Sequence, residues 1–193
     1  MRKGEETRLA ILDEAVTAAR FNGLSGLTIG TLAERTGLSK SGLYAHFKSK
    51  ESLQLATMSH HREQFIVEVI RPALEAPRGE KRLRTLVDGW MRWYEHPGGC
   101  LFLAASTEFD DLDGPLHDRM VADEHDLLDT ISQVVGTLVS QGDVRPDTDT
   151  VQIAQEVFSV LLGYNWMSRI LSDPTAETRA WTAVDRILDS LRP

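Results

Sequence analysis

Apolar positions fall at helical spacing through most of the chain. From Glu5 to Asn22, Leu9, Leu12, Val16 and Ala19 share one face, and Asn22-Gly23 supplies a stop. Thr28 suits the N-cap of a short helix with Ile29, Leu32 and Ala33 on one side, and Gly37 ends it. Ser39 caps a second short helix running to about His46 or Phe47. Ser49 caps a long one, with Glu51 placed at the positive end of its dipole. Pro72 and Pro77 break or end that helix. GEKRLRTLVDGWMRWYEH reads as the next, closed by Pro97-Gly98-Gly99. LFLAASTEF reads as a short buried helix in preference to a strand, and DDLDGP as a turn. Leu116 to about Val139, Asp149 to about Leu171, and Ala176 to Leu191 complete the pattern. No alternating β pattern, internal repeat or low-complexity tract interrupts it. The expectation is an all-α chain of about nine helices.

Within the stretch from Thr28 to Phe47, helix, Gly-bearing turn and helix follow one another, the order of a helix-turn-helix. Ile29, Leu32, Ala33, Leu38, Leu43 and Phe47 are expected to pin the pair against the first helix. Lys40, Ser41, Gly42, Tyr44 and His46 are left facing outward, with Lys48 and Lys50 following. Gly42 stands inside a helix, where glycine costs about 1 kcal/mol relative to alanine; close approach of another backbone would explain it. Near the other end of the chain, Val151, Ile153, Ala154, Val157, Phe158, Val160, Leu161 and Leu162 make an apolar face broader than a single core-facing side requires. With Trp181, Val184, Leu188 and Leu191 of the last helix, it is expected to pair with its copy from a second chain as a four-helix bundle.

Charge sharpens this division. The 193 residues carry a net charge of -8, yet residues 1–60 hold 8 basic against 6 acidic side chains, and the rest hold 13 against 23. An acidic total therefore does not exclude nucleic acid, because grouping of the cations decides. Apolar residues make up 41% and charged residues 26%, ordinary for a globular protein. No run approaches the ~18–20 apolar residues of a membrane span, and no secretory signal is expected in MRKGEETR. One cysteine, Cys100, allows no intrachain disulfide, and a cytoplasmic location is the simplest expectation.

Thr28, Ala33, Gly37, Ser39, Gly42, the run Leu43-Tyr44-Ala45-His46-Phe47, Lys50-Glu51 and Leu53, with Phe21-Asn22-Gly23 before them, closely resemble the DNA-binding domain of TetR-type transcriptional regulators. The likeness covers roughly residues 5–60. It implies a three-helix DNA-binding domain over residues 1–50 and a helical ligand-binding and dimerisation domain over 51–193. By that resemblance Thr28, Tyr44 and Lys50 contact phosphates, with His46 and Lys48 nearby, and Lys40, Ser41 and Gly42 meet base edges. Lysine can pair with guanine O6 and N7. Some relatives carry a long polar side chain where this chain has Gly30, so one base contact is missing. A two-fold dimer would read a palindromic operator, with half-sites about 34–36 Å apart or a multiple of that.

The resemblance further implies a small-molecule effector in the C-terminal helices, and a repressor released by it. Trp90, Trp93, Tyr94 and Phe102, with Met58, Met91 and Met120, are candidate pocket residues for a hydrophobic or aromatic ligand; core filling is the competing reading for each. Cys100 is read as inert packing in preference to a redox sensor. Glu108, Asp110, Asp111, Asp113, His117 and His125 cluster in sequence without the spacing of a metal site, and His60-His61 reads as a patch or a contact rather than a ligand pair. No P-loop, GxSxG, HExxH or dinucleotide fingerprint is present, so no enzyme and no cofactor are expected.

Overall fold

The computed structural model describes residues 3–193. Nine helices and no strand are found among them. They are α1 (Lys3–Asn22), α2 (Ile29–Thr36), α3 (Lys40–His46), α4 (from Lys50–Phe65 through Ile66–Ile70 to Arg71–Glu75), α5 (Glu80–Tyr94), α6 (Leu101–Phe109), α7 (Pro115–Gln141), α8 (Thr150–Asn165 continuing through Trp166–Ile170) and α9 (Ala176–Leu191). The segment LFLAASTEF is α6, so its apolar run is helical as expected.

Local chemistry sets the ends of the short helices. Thr28 Oγ1 accepts the Thr31 amide at 3.1 Å while Thr31 Oγ1 accepts the Thr28 amide at 3.2 Å, a reciprocal cap on α2. Gly37 closes α2 at φ 68°, a left-handed conformation that glycine adopts without strain. Ser39 Oγ accepts the Gly42 amide at 3.1 Å and starts α3; Ser49 Oγ does the same for Ser52 at 3.0 Å and starts α4. Proline acts later in α4. The backbone widens into a π-helical turn over Ile66–Ile70 just ahead of Pro72, which relieves the clash of the ring with the carbonyl four residues back. Ala76, preceding Pro77, is extended, and the helix ends there.

The chain packs as two compact units: the chain up to Phe65 with His96–Asp123, and Ile66–Glu95 with Glu124–Pro193. In the first unit, Ile11, Leu12, Ala15 and Ala19 of α1 share a core with Leu32 of α2, Leu43 of α3, Phe47 and Leu53. Leu101, Ala105 and Phe109 of α6 and Met120 of α7 join that same core. Each fully buried leucine or phenylalanine there stabilises the unit by about 1.5–3 kcal/mol. Leu38 does not join it. It is 36% exposed, because the turn carries it past the helix crossing.

In the second unit, Leu83, Leu86, Trp90, Trp93 and Tyr94 of α5 are buried with Val134 and Leu138 of α7, Ile153 and Val157 of α8, and Val184 and Leu188 of α9. Polar contacts hold its edges. Asp143 Oδ2 accepts the Glu80 amide at 2.9 Å, and Arg84 bridges Glu80 at 2.8 Å and Asp185 at 2.7 Å.

Several of the residues expected at the dimer face lie inside this unit. Val157, Leu161, Val184 and Leu188 are buried inside their own chain, Leu161 with 0% exposure, so a second copy cannot touch them. Phe158 and Trp181 are half-buried. On α8 and just after it, the large apolar side chains left outside are Val151, Leu162, Trp166, Met167, Ile170 and Leu171.

Candidate nucleic-acid interface

Helix α3 has an inside and an outside fixed by its neighbours. Leu43 and Phe47 point into the core of the first unit, and Tyr44 between them is 53% exposed. Lys40 and Ser41 are exposed with it, and Gly42 and His46 are half-buried. Lys48 and Lys50 are exposed at the start of α4, and half-buried Thr28 stands at the N-terminus of α2. The surface gathered here offers ammonium groups, hydroxyls and helix N-termini, groups that bind phosphate oxygens and base edges.

Several of these groups are already engaged. Lys50 Nζ donates to the Ser25 carbonyl at 2.7 Å, which steadies its head beside the α1–α2 turn. Ser41 Oγ lies 3.1 Å from Ser39 Oγ. A Cβ at Gly42 would lie 3.2 Å from Ser39 Oγ, so an added side chain would need that hydroxyl to give by a few tenths of an ångström.

Three contributors are hidden in the sequence. Arg8 of α1 holds its guanidinium 5.0 Å from the Phe47 ring centre, a cation–π contact beside α3. Glu108 of α6 accepts the amides of Leu24 at 3.1 Å and Ser25 at 2.8 Å, reaching back 84 and 83 residues to the α1–α2 turn. Gln54 Nε2 donates to the Leu24 carbonyl at 2.6 Å on the same turn. A Cβ on Gly23 would lie 2.1 Å from Glu108 Oε1, so this turn is shaped around the carboxylate. Glu108 thus serves the turn rather than an acidic cluster. Its role could not be read from spacing, because its partners are backbone amides. Among the described residues, no three His, Cys, Asp or Glu side chains are grouped as a metal site.

The paired histidines separate. His60 Nε2 meets Asp13 Oδ1 at 2.6 Å, whereas His61 is fully buried with its ring 4.8 Å from Phe102. Burial, reinforced by Arg20, His96 and His60, holds the His61 pKa well below the usual imidazole value. Cys100, also buried, has its Sγ 3.9 Å from His61 Nε2.

The effector-pocket candidates do not fall in one unit. Met58, Phe102 and Met120 are buried in the first; Trp90, Met91, Trp93 and Tyr94 are buried in the second. Tyr164, also in the second, donates to Glu95 Oε1 at 3.0 Å, and burial together with that carboxylate pushes its pKa up to about 12. A groove of about 640 Å³ on the second unit is lined by Glu80, Lys81, Arg84, Thr85, Asp88 and Trp181.

Residues 11–57 match the bacterial regulatory proteins of the tetR family, and residues 79–184 match the tetracyclin repressor-like C-terminal domain. The chain belongs to the TetR family of bacterial transcriptional regulators. A TetR transcriptional regulator from Chloroflexus aurantiacus J-10-FL is similar over 98% of this chain and 96% of that one, at 29% identity and a TM-score of 0.85. SCO4454, a TetR-family regulator from Streptomyces coelicolor, shares the fold at a TM-score of 0.83 and 20% identity, covering 100% and 98% of the two chains. The HTH-type transcriptional activator FasR of Mycolicibacterium smegmatis is 29% identical over 92 residues, 48% of this chain and 42% of that relative. The chain therefore spans under half the length of this curated relative. In this TetR-family chain, the outward face of α3 lies within the matched N-terminal segment. No helix among the described residues is long and apolar enough to cross a membrane.

Proposed function

We propose that this chain is a dimeric, sequence-specific DNA-binding repressor. Residues 1–50 read a palindromic operator, and a small hydrophobic or aromatic molecule held by residues 51–193 releases it. The observation carrying the reading is the exposed row Lys40, Ser41 and Tyr44 on a helix whose other side, Leu43 and Phe47, is locked into a core. Lys40, Ser41 and the Gly42 backbone face base edges in the major groove; Thr28, Tyr44, His46, Lys48 and Lys50 set the register on phosphates. The protein works in the cytoplasm, needs no cofactor and catalyses no reaction.

Self-association uses the outer edge of α8. Leu162, Trp166 and Ile170 stand four residues apart, on one face, and Trp166 and Ile170 are 59% and 60% exposed. Exposed apolar groups in such a row are the material of an interface, and tryptophan is a frequent energetic anchor. Selecting bound duplexes from a random library tests the reading. An enriched inverted repeat is expected, and no enrichment over input would overturn it.

A second reading, activation, is favoured by the likeness to an activator over 92 residues. Transcription in vitro from a promoter carrying the selected site separates the two by the sign of the effect.

A further inference from the structure

Gly30 is the second residue of α2, where the helix opens toward α3. Its backbone is not in the left-handed region that demands glycine. Nor would a methyl group there collide with anything. A Cβ built on Gly30 would sit 3.7 Å from Thr28 Oγ1 and 3.8 and 3.9 Å from Lys40 Cε and Nζ, all ordinary contacts. Alanine would fit and would be the better helix former. Neither backbone nor packing of the domain calls for glycine.

What lies above the position is the end of the Lys40 side chain. Lys40, the first residue of α3, is exposed, and its ammonium is carried back across the start of α2 to the space a longer residue at 30 would fill. Thr28, the α2 cap, borders the same space.

We infer that Gly30 is a specificity-determining residue that acts through Lys40. By leaving its own side-chain space empty, it lets the Lys40 ammonium take the place beside α2 from which a side chain at position 30 would reach the groove. The inference rests on the proposal that α3 reads DNA. It makes α2 a reader by proxy. The base step that a residue at 30 would contact is read here by Lys40, and the two positions act as one unit. A long side chain at 30 evicts the ammonium, and a methyl group does not.

The experiment compares the full-length chain with Gly30→Ala, Gly30→Gln, Lys40→Ala and the double variant Gly30→Gln/Lys40→Ala, each by duplex selection and by affinity for the wild-type site and a scrambled one. Gly30→Gln should shift preference at the same base pairs as Lys40→Ala. It should lower the cognate-over-scrambled ratio about tenfold, the scale of one lysine–base contact. The double variant should lose little more than the stronger single one, because coupled residues are non-additive. Gly30→Ala should keep the wild-type preference and melt at the same temperature or slightly higher, a control against a merely structural effect. A wild-type preference retained by Gly30→Gln, or altered at base pairs Lys40→Ala leaves alone, overturns the inference while DNA reading stands. A wild-type chain that selects no site overturns both.

Discussion

The helix pair α2–α3 and the helix pair α8–α9 are both apolar on one side, yet sequence pattern resolves their faces unequally. In α2–α3, Ile29, Leu32, Leu43 and Phe47 go inside and Lys40, Ser41 and Tyr44 go outside, as their spacing predicts. In α8–α9, Val157, Leu161, Val184 and Leu188, expected to meet a second copy, are buried within one chain, while Phe158 and Trp181 are half-buried and Leu162, Trp166 and Ile170 are exposed. The difference lies in width. A seven-residue helix with Leu43 buried inside it and Phe47 buried at its C-cap can face its core in one way. Helix α8, apolar on most sides over its 16 residues Thr150–Asn165, offers several orientations, and only the packing of α5 and α9 against it selects one.

The largest effect should come from placing a charge on the inner side of α8. Leu161→Glu buries an unpaired carboxylate and should cost on the order of 4 kcal/mol, seen as loss of a cooperative melt. Ile170→Glu, on the outer side, should leave that melt intact and shift sedimentation from dimer to monomer. A folded Leu161→Glu monomer would reverse the assignment of the two sides.

The next effect probes the turn beside α2. Glu108→Ala removes a carboxylate that accepts two backbone amides and should cost about 2 kcal/mol of stability. Through the turn that precedes Thr28, it should also weaken duplex binding. Unchanged melting would show that the turn holds its shape without α6.

A smaller effect comes from pH. The folded pKa of His61 lies below its unfolded value, so the unfolded chain takes up the proton first. The stability tied to neutral His61 is present above about pH 6.5 and is lost as pH falls below it. Wild-type melting temperature should drop between pH 7.5 and 5.5, and His61→Gln should flatten that drop. Equal slopes would remove His61 from the account.

The smallest is Lys50→Ala on the reading side. It should weaken binding to all duplexes alike and reduce the slope of log affinity against log salt by about one contact. A change of sequence preference instead would make Lys50 a reader.

Much of this molecule is legible in its sequence because the signals are local. Thr28, Gly37, Ser39 and Ser49 mark helix ends through side-chain caps and one left-handed residue, and all act within three positions of themselves. The π-helical turn before Pro72 and the packing of α6 with α1–α4 are not legible in that way. The first depends on how the helix absorbs a proline, and the second on partners some 50 to 90 residues away. Glu108 shows the limit most clearly. Spacing groups it with Asp110, Asp111 and Asp113, while its bonds go to Leu24 and Ser25. The Lys40–Gly30 arrangement is of the same kind, since a missing side chain leaves no signal until its space is seen to be filled.

Amide hydrogen exchange with and without the selected duplex tests most directly whether the outward face of α3 lies against DNA. Exchange should slow chiefly in residues 28–52, while α8 and α9 are unchanged. Slowing confined to other helices, with residues 40–47 exchanging as fast as in the free protein, would contradict it.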